Sequence, residues 1–184
     1  WCARGGYGCT RIASEIDTEA FAAQPRAVIG FSDVTALHAV LQGEGGVSFH
    51  GPVVTQLARL DEPSLNRAHA LLSGDQRAAL YNPPELVVRR PGVARGPVVG
   101  GNLALLAALA GTPWERDFTG TIAILEDVGE PAYRIDRMLR QLEQSCGLLQ
   151  ANGMIIGSFT GVPPDQEPLV EALFEELSDR LDGP

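Results

Sequence analysis

The chain has 184 residues, of which 45% are hydrophobic and 20% charged, so its composition supports a folded core and excludes a disordered chain. Its net charge of −9 argues against nucleic-acid binding and against adsorption to anionic membranes. All 14 basic residues are arginine, which excludes mechanisms that need a lysine. The three cysteines form no CxxC pair, which favours a reducing, cytoplasmic compartment.

The first half of the chain alternates between strand and helix patterns. Four glycine-rich positions, 5–8, predict a turn, and Asp17 is a candidate N-cap for a short helix. Further along, the patterns predict a buried strand at 26–30, a helix at 34–42, a strand and turn at 47–52, and a helix at 63–74. This order is typical of an α/β fold.

The second half repeats this alternation after a change of composition at the proline-containing stretch "YNPPE" (81–85). We therefore predict a partial Rossmann-like domain at 1–82 and a partial α/β domain at 83–184. The patterns predict paired strands within 85–101, a buried helix at 102–111 with Asn102 as its cap, a strand at 121–127, an amphipathic helix at 132–147, a strand at 153–159 and a last helix at 169–181. The apolar stub that opens the chain and the Gly-Pro that closes it lead us to expect an internal piece of a longer protein.

A serine stands where a buried strand would turn into a helix, in "AVIGFSDVTALHAV". Such a turn can expose a nucleophilic hydroxyl above the sheet edge, beside the first N–H groups of the helix. Val34 occupies the place of the second glycine of the G-x-S-x-G pattern. Ser32 is therefore either a nucleophile or, with Asp33, only a helix cap.

Two other segments carry candidate chemistry. The glycines of "RGGYG" can let N–H groups converge on an anion, or can simply form a tight turn. Glu126 and Asp127 end a buried strand, where ligand-facing groups lie in open α/β sheets, although an acid there can equally cap a helix or form an ion pair. His38, His50 and His69 have no metal-ligand spacing, and we interpret each as structural.

Several blocks occur together in an order that resembles the LD-carboxypeptidases, a family of serine peptidases that also includes microcin-immunity hydrolases. The blocks are "RGGYGCTRIASEID", "IGFSDVTALH", "HGPV", "GGNLALLAALAGTPW", "ILEDVGEPAYRIDRMLRQL" and "GMIIGSFTG". The resemblance implies a Ser-His-Glu triad with Ser32 as nucleophile and Glu126 as its acid. It implies oxyanion donors at the N–H groups of Asp33 and Gly6. It also implies substrate contacts from Arg4, Gly101 and Asn102, although Arg4 can equally form a structural ion pair.

The resemblance implies a reaction as well. The expected substrate is a murein tetrapeptide, from which the terminal D-alanine is released in the cytoplasm without a metal or nucleotide cofactor. No nucleic-acid or membrane partner is expected. The sequence does not fix the oligomeric state, and a homodimer is an open option because dimers are common in the family. In the family the triad histidine follows the last segment seen here, and no histidine of this chain matches it, so these residues alone are expected to be inactive. Two alternatives stay open: a microcin-immunity hydrolase of the same family, and a binding module without activity.

Overall fold

Two parallel β-sheets form the framework. The structure is a computed structural model that describes residues 1–43, 46–75 and 86–184. In the first sheet, β1 (Val28–Gly30) pairs with β2 (Ser48–His50). In the second, β4 (Ile122–Val128) lies between β3 (Val98–Asn102) and β5 (Gly153–Thr160). All these pairings are parallel, and helices connect the strands, which confirms the predicted α/β class.

Seven α-helices lie within the described residues. They are α1 (Cys9–Ile12), α2 (Thr18–Ala23), α3 (Thr35–Gly43), α4 (Glu62–Leu72), α5 (Leu103–Leu109), α6 (Ala132–Ser145) and α7 (Glu167–Arg180). The predicted caps are confirmed: Asp17 Oδ1 accepts from Ala20 N at 2.8 Å, and Asn102 Oδ1 accepts from Leu105 N at 3.1 Å. The longest of these helices, α6 and α7, have 14 residues each, and no described helix could cross a bilayer.

The main hydrophobic core lies between the three-stranded sheet and helices α5, α6 and α7. The predicted apolar stripe of α6 faces it, since Ile135, Met138, Leu139, Leu142 and Cys146 are all buried. A second, smaller cluster joins α3 to α5 through Ala36, Ala39 and Leu109. The helix that follows the candidate nucleophile is thereby packed directly against the helix that follows β3.

One element prediction is wrong, and the domain boundary is not described. The pattern over 85–101 predicts two strands, but residues 86–97 contain none and only β3 forms. Pro91 and Pro97 lack the N–H that a ladder needs, and β3 pairs with β4 rather than with the segment before it. Val87 and Val93 are exposed in this segment. The predicted boundary between residues 82 and 83 lies outside the described residues.

Candidate active site

Ser32 sits in a strained turn between β1 and α3. The φ angle of Ser32 is +61°. Among the described residues, Ser32 is the only non-glycine residue with a positive φ. A residue with a Cβ costs about 1–2 kcal/mol in this left-handed region. A short 3-10 turn over Ser32–Val34 then leads into α3. A Cβ at Gly30 would lie 2.8 Å from Val34 Cγ1, so the turn needs the first glycine of the elbow and accommodates valine in place of the second.

The glycine-rich turn near the start of the chain lies directly against Ser32. A Cβ at Gly5 would lie 3.2 Å from Ser32 Cβ and 3.4 Å from Ser32 Oγ. Gly6 follows with a φ of +140°, which side chains rarely allow. The predicted turn therefore borders the candidate nucleophile, and the oxyanion role of Gly6 stays a prediction.

The carboxylate of Asp33 holds this glycine-rich turn in place. Asp33 is buried, and its Oδ2 accepts from Cys9 N at 3.0 Å. Burial first, and then Asp33, raise the pKa of the Cys9 thiol to about 12, so this cysteine is not a thiolate nucleophile. The side chain of Asp33 thus has a structural partner, while the oxyanion role predicted for its N–H stays a prediction.

Glu126 lies near the carboxyl end of β4, opposite Asn102 of β3. Between Leu125 and Asp127 the pairing of β4 with β5 shifts, because Glu126 alone lies opposite Gly157 and Ser158, so the extra residue of a β-bulge falls on β5 beside Glu126. A Cβ at Gly157 of β5 would lie 3.2 Å from Glu126 Cβ, and the glycine leaves space for the carboxylate stem. Bulges commonly redirect a side chain beside an active site.

The carboxylate of Glu126 is poorly solvated. Its side chain is 15% exposed, and its Oε1 is buried without a hydrogen-bond partner among the described residues. Burial first, and then the negative charge of Asp127, raise the pKa of Glu126 to about 7, against a lowering by Asn102. Strongly shifted carboxyl pKa values of this kind are frequent at functional sites.

Asn102 and Asp127 form a buried polar network beside Glu126. Asp127 accepts from Asn102 Nδ2 and from Ala104 N, both at 2.9 Å. Asn102 N in turn donates to Thr35 Oγ1 at 3.0 Å, across 67 residues of chain. This last bond connects the first residue of α3 to the end of β3, and so fixes the Ser32 turn relative to the strand pair that carries Glu126. The side chain of Asn102 is already engaged, since Nδ2 donates to Asp127 and Oδ1 accepts from Leu105 N. The substrate contact predicted for Asn102 stays a prediction.

His50 is the residue of this site that the sequence interpretation missed. Its Nε2 lies 3.7 Å from Glu126 Oε1, and its ring packs edge-to-face on Phe31 with centroids 6.3 Å apart. The parallel register pairs His50 with Gly30, which places it at the carboxyl end of β2 beside the serine turn. A histidine that ends a short strand of an α/β sheet was therefore the available signal.

The other two predicted substrate contacts lie in different surroundings. Gly101 is buried with a φ of +136°, and a Cβ there would lie 2.7 Å from Thr35 Oγ1 and 3.3 Å from His50 Nδ1. This glycine therefore lets the two sheets approach each other. Arg4 is exposed, and no carboxylate among the described residues lies within ion-pair distance of it, so the structure gives no support for the structural ion pair.

The described residues contain a candidate nucleophile, Ser32, and a candidate acid, Glu126, but no complete triad. No histidine in the described part of the chain forms a hydrogen bond with Ser32 Oγ. The same residues contain no cluster of three or more histidine, cysteine, aspartate or glutamate side chains arranged to hold a metal ion. The arrangement can activate a hydroxyl only if a base is supplied to it.

Comparison with known proteins gives the relatives of this chain. Residues 1–51 match the LD-carboxypeptidase N-terminal domain and residues 95–184 match the LD-carboxypeptidase C-terminal domain. The chain is 43% identical to a putative carboxypeptidase of Streptomyces coelicolor, over 99% of this chain and 58% of that protein. It is 37% identical to the murein tetrapeptide carboxypeptidase of Pseudomonas aeruginosa, over 100% of this chain and 63% of that protein.

Solved structures agree with these relatives. The muramoyltetrapeptide carboxypeptidase of Oxalobacter formigenes superposes with a TM-score of 0.80 at 33% identity, over 98% of this chain and 64% of that one. MccF in complex with glutamyl sulfamoyl guanosine superposes with a TM-score of 0.75 at 21% identity, over 96% and 62%, and shares the fold. The chain spans about 60% of the length of these proteins. With both domain matches in order along the sequence, this chain belongs to the LD-carboxypeptidase family.

Proposed function

We propose that the full-length protein is a serine carboxypeptidase that hydrolyses the L,D amide bond of murein tetrapeptides and releases the terminal D-alanine. Relatives of 33–37% identity that carry murein tetrapeptide or muramoyltetrapeptide carboxypeptidase in their names support this substrate. The three free cysteines are consistent with the proposed cytoplasmic location. A homodimer is part of the same proposal, by resemblance alone.

In the proposed mechanism, Ser32 Oγ attacks the carbonyl carbon of the scissile amide while a histidine takes its proton. That histidine comes from a part of the full-length protein outside residues 1–184. The charge on the carbonyl oxygen is stabilised by the N–H groups of Asp33 and Gly6, each of which can contribute about 3–4 kcal/mol. The C–N bond then breaks, and the imidazolium gives its proton to the D-alanine nitrogen. Water then attacks the ester carbonyl of the acyl-enzyme while the histidine takes its proton. The bond to Ser32 Oγ breaks, and the imidazolium returns the proton to that oxygen. Glu126 stabilises the imidazolium in both steps.

The observation that carries the proposal is the conformation of Ser32. A left-handed serine between β1 and α3, with Gly5 against its hydroxyl, is strain of the kind that nucleophile turns hold. A serine that only capped a helix would have extended φ and ψ and would accept from an N–H of that helix. Ser32 does neither, since φ is +61° and no described N–H donates to its hydroxyl.

The test measures D-alanine release from a murein tetrapeptide by the full-length protein. We expect Ser32→Ala to lower the rate by about 10³-fold or more, because removal of the nucleophile leaves only binding and the oxyanion donors. Ser73→Ala, at an exposed residue after α4, is the matched control and should keep the wild-type rate. Retained release by Ser32→Ala would remove Ser32 from its role.

The same assay distinguishes the carboxypeptidase from the microcin-immunity hydrolase of the same family. If the wild-type protein left the tetrapeptide intact but cleaved a glutamyl sulfamoyl nucleotide, the microcin-immunity alternative would replace this proposal. Identity favours the carboxypeptidase, at 33–43% against 21% for MccF.

A further inference from the structure

Two imidazole rings, of His50 and His38, follow one another on the His50 side of Glu126, and His38 forms a hydrogen bond with the backbone. His38 is buried, and its Nε2 lies 2.9 Å from Gly30 O. A carbonyl oxygen can only accept, so Nε2 of His38 carries the proton and Nδ1 does not. Burial lowers the pKa of His38, which keeps the ring neutral. His38 therefore fixes the end of β1 and leaves the second ring, 6.1 Å away, to face the carboxylate.

The second ring belongs to His50, and its surroundings fix its direction. Phe31 packs against one side, and Gly101 has no Cβ to fill the space beside Nδ1, where a side chain would come within 3.3 Å. The opposite nitrogen, Nε2, lies 3.7 Å from Glu126 Oε1. The ring thus presents Nε2 to the carboxylate.

Glu126 lacks a hydrogen-bond donor to its Oε1, and the ring of His50 can supply one. Its Oε1 is buried and without a donor among the described residues, and a buried carboxylate oxygen without a hydrogen bond is costly. Burial, and then the neighbouring His38, lower the pKa of His50 to about 4. A neutral imidazole at pH 7 has one N–H. This N–H can donate a hydrogen bond to the carboxylate without adding a positive charge to the site.

We propose that His50 is a positioning residue whose Nε2–H hydrogen bonds to Glu126 Oε1, holding this carboxylate ionised and aligned for the triad histidine. The present separation is about 0.8 Å longer than an ordinary N–H···O bond, and a small rotation of the Glu126 side chain closes it. Catalytic hydrogen bonds often shorten in this way when a site is completed. The inference rests on the role proposed above for Glu126.

The proposal makes a claim about pH. The groups that face Glu126 are His50 from β2, with His38 of α3 behind it, Asn102 from β3, and Asp127 from β4 itself. Asp127 opposes ionisation of Glu126, and the Asn102 amide favours it. A donor to the charged form lowers a carboxyl pKa, so the loss of His50 should raise the pKa of Glu126.

The test compares His50→Phe, which keeps a ring but has no donor, with His50→Gln, whose amide nitrogen can replace Nε2. In the full-length enzyme we expect His50→Phe to lower kcat/KM for D-alanine release about 10- to 100-fold at pH 7. The acidic limb of the pH dependence of kcat/KM should move up by about one pH unit in this variant. His50→Gln should restore kcat/KM to within about threefold of wild type. His69→Gln, on the exposed side of α4, is the matched histidine control and should change neither.

Two results would overturn the proposal: an unmoved acidic limb in His50→Phe, or equal impairment in His50→Gln and His50→Phe with both variants folded by circular dichroism. A second readout does not depend on the reaction. The pKa of Glu126, followed by ¹³C NMR of labelled glutamate and assigned with Glu126→Gln, should rise in His50→Phe. If the wild-type protein released no D-alanine, the proposed function would fail, whereas this titration would still decide whether His50 bonds to Glu126.

Discussion

Replacing Ser32 with glycine should leave a more stable protein than replacing it with alanine, and both replacements should abolish activity. The φ of +61° costs a residue with a Cβ about 1–2 kcal/mol, and glycine removes that cost. Glycine also gives the unfolded chain more freedom, which costs about 0.5–1 kcal/mol. At the middle of both ranges, Ser32→Gly has a free energy of unfolding about 0.75 kcal/mol higher than Ser32→Ala, which keeps the Cβ and the strain.

Urea unfolding of the full-length protein measures this difference. The two variants lack the same hydroxyl, so their comparison isolates the backbone strain, and a common m-value allows their midpoints to be compared directly. Both should have lost D-alanine release. A Ser32→Gly midpoint at or below that of Ser32→Ala would show that the turn stores no strain at Ser32, and would refute the reasoning.

Three further predictions concern the bond from α3 to β3 and the buried acid. Thr35→Val leaves the buried N–H of Asn102 without an acceptor, and should lower the free energy of unfolding by about 1–3 kcal/mol, whereas Thr35→Ser should retain most of it; equal urea midpoints for the two variants would contradict the bond. Glu126→Gln should sharply reduce D-alanine release with the fold preserved, and an unchanged rate would end the triad assignment. Because the pKa of Glu126 is raised from 4.5 to about 7, its contribution to stability is complete below about pH 4.5 and is lost as the pH rises through 7. Urea midpoints of wild type should therefore fall over this window relative to those of Glu126→Gln, and parallel curves would exclude the shift.

Much of the fold was available from local pattern. The strand at Val28–Gly30 is short, apolar and ended by glycine, and the α6 stripe repeats at steps of three and four, so each signal is contained in a few neighbouring residues. The caps at Asp17 and Asn102 are equally local, because a cap needs only the next three residues. The failure over 86–97 has the opposite cause: strand formation there depended on a partner strand, and β3 pairs with β4.

The candidate site divides in the same way. The glycine before Ser32 and the acids that end β4 were visible in the sequence, since a turn or a strand end is defined by its own residues. The positive φ of Ser32 and the donation from Asn102 N to Thr35 Oγ1 depend on how the two sheets meet, across 67 residues in the second case. The position of His50 against Glu126 is likewise tertiary, because it needs the register of β1 with β2, the packing of α3 on α5, and a glycine at 101 that lets the sheets approach. The sequence thus determined which elements form and where each chemical group ends a strand, whereas only the packing of distant elements decided which of those groups face each other.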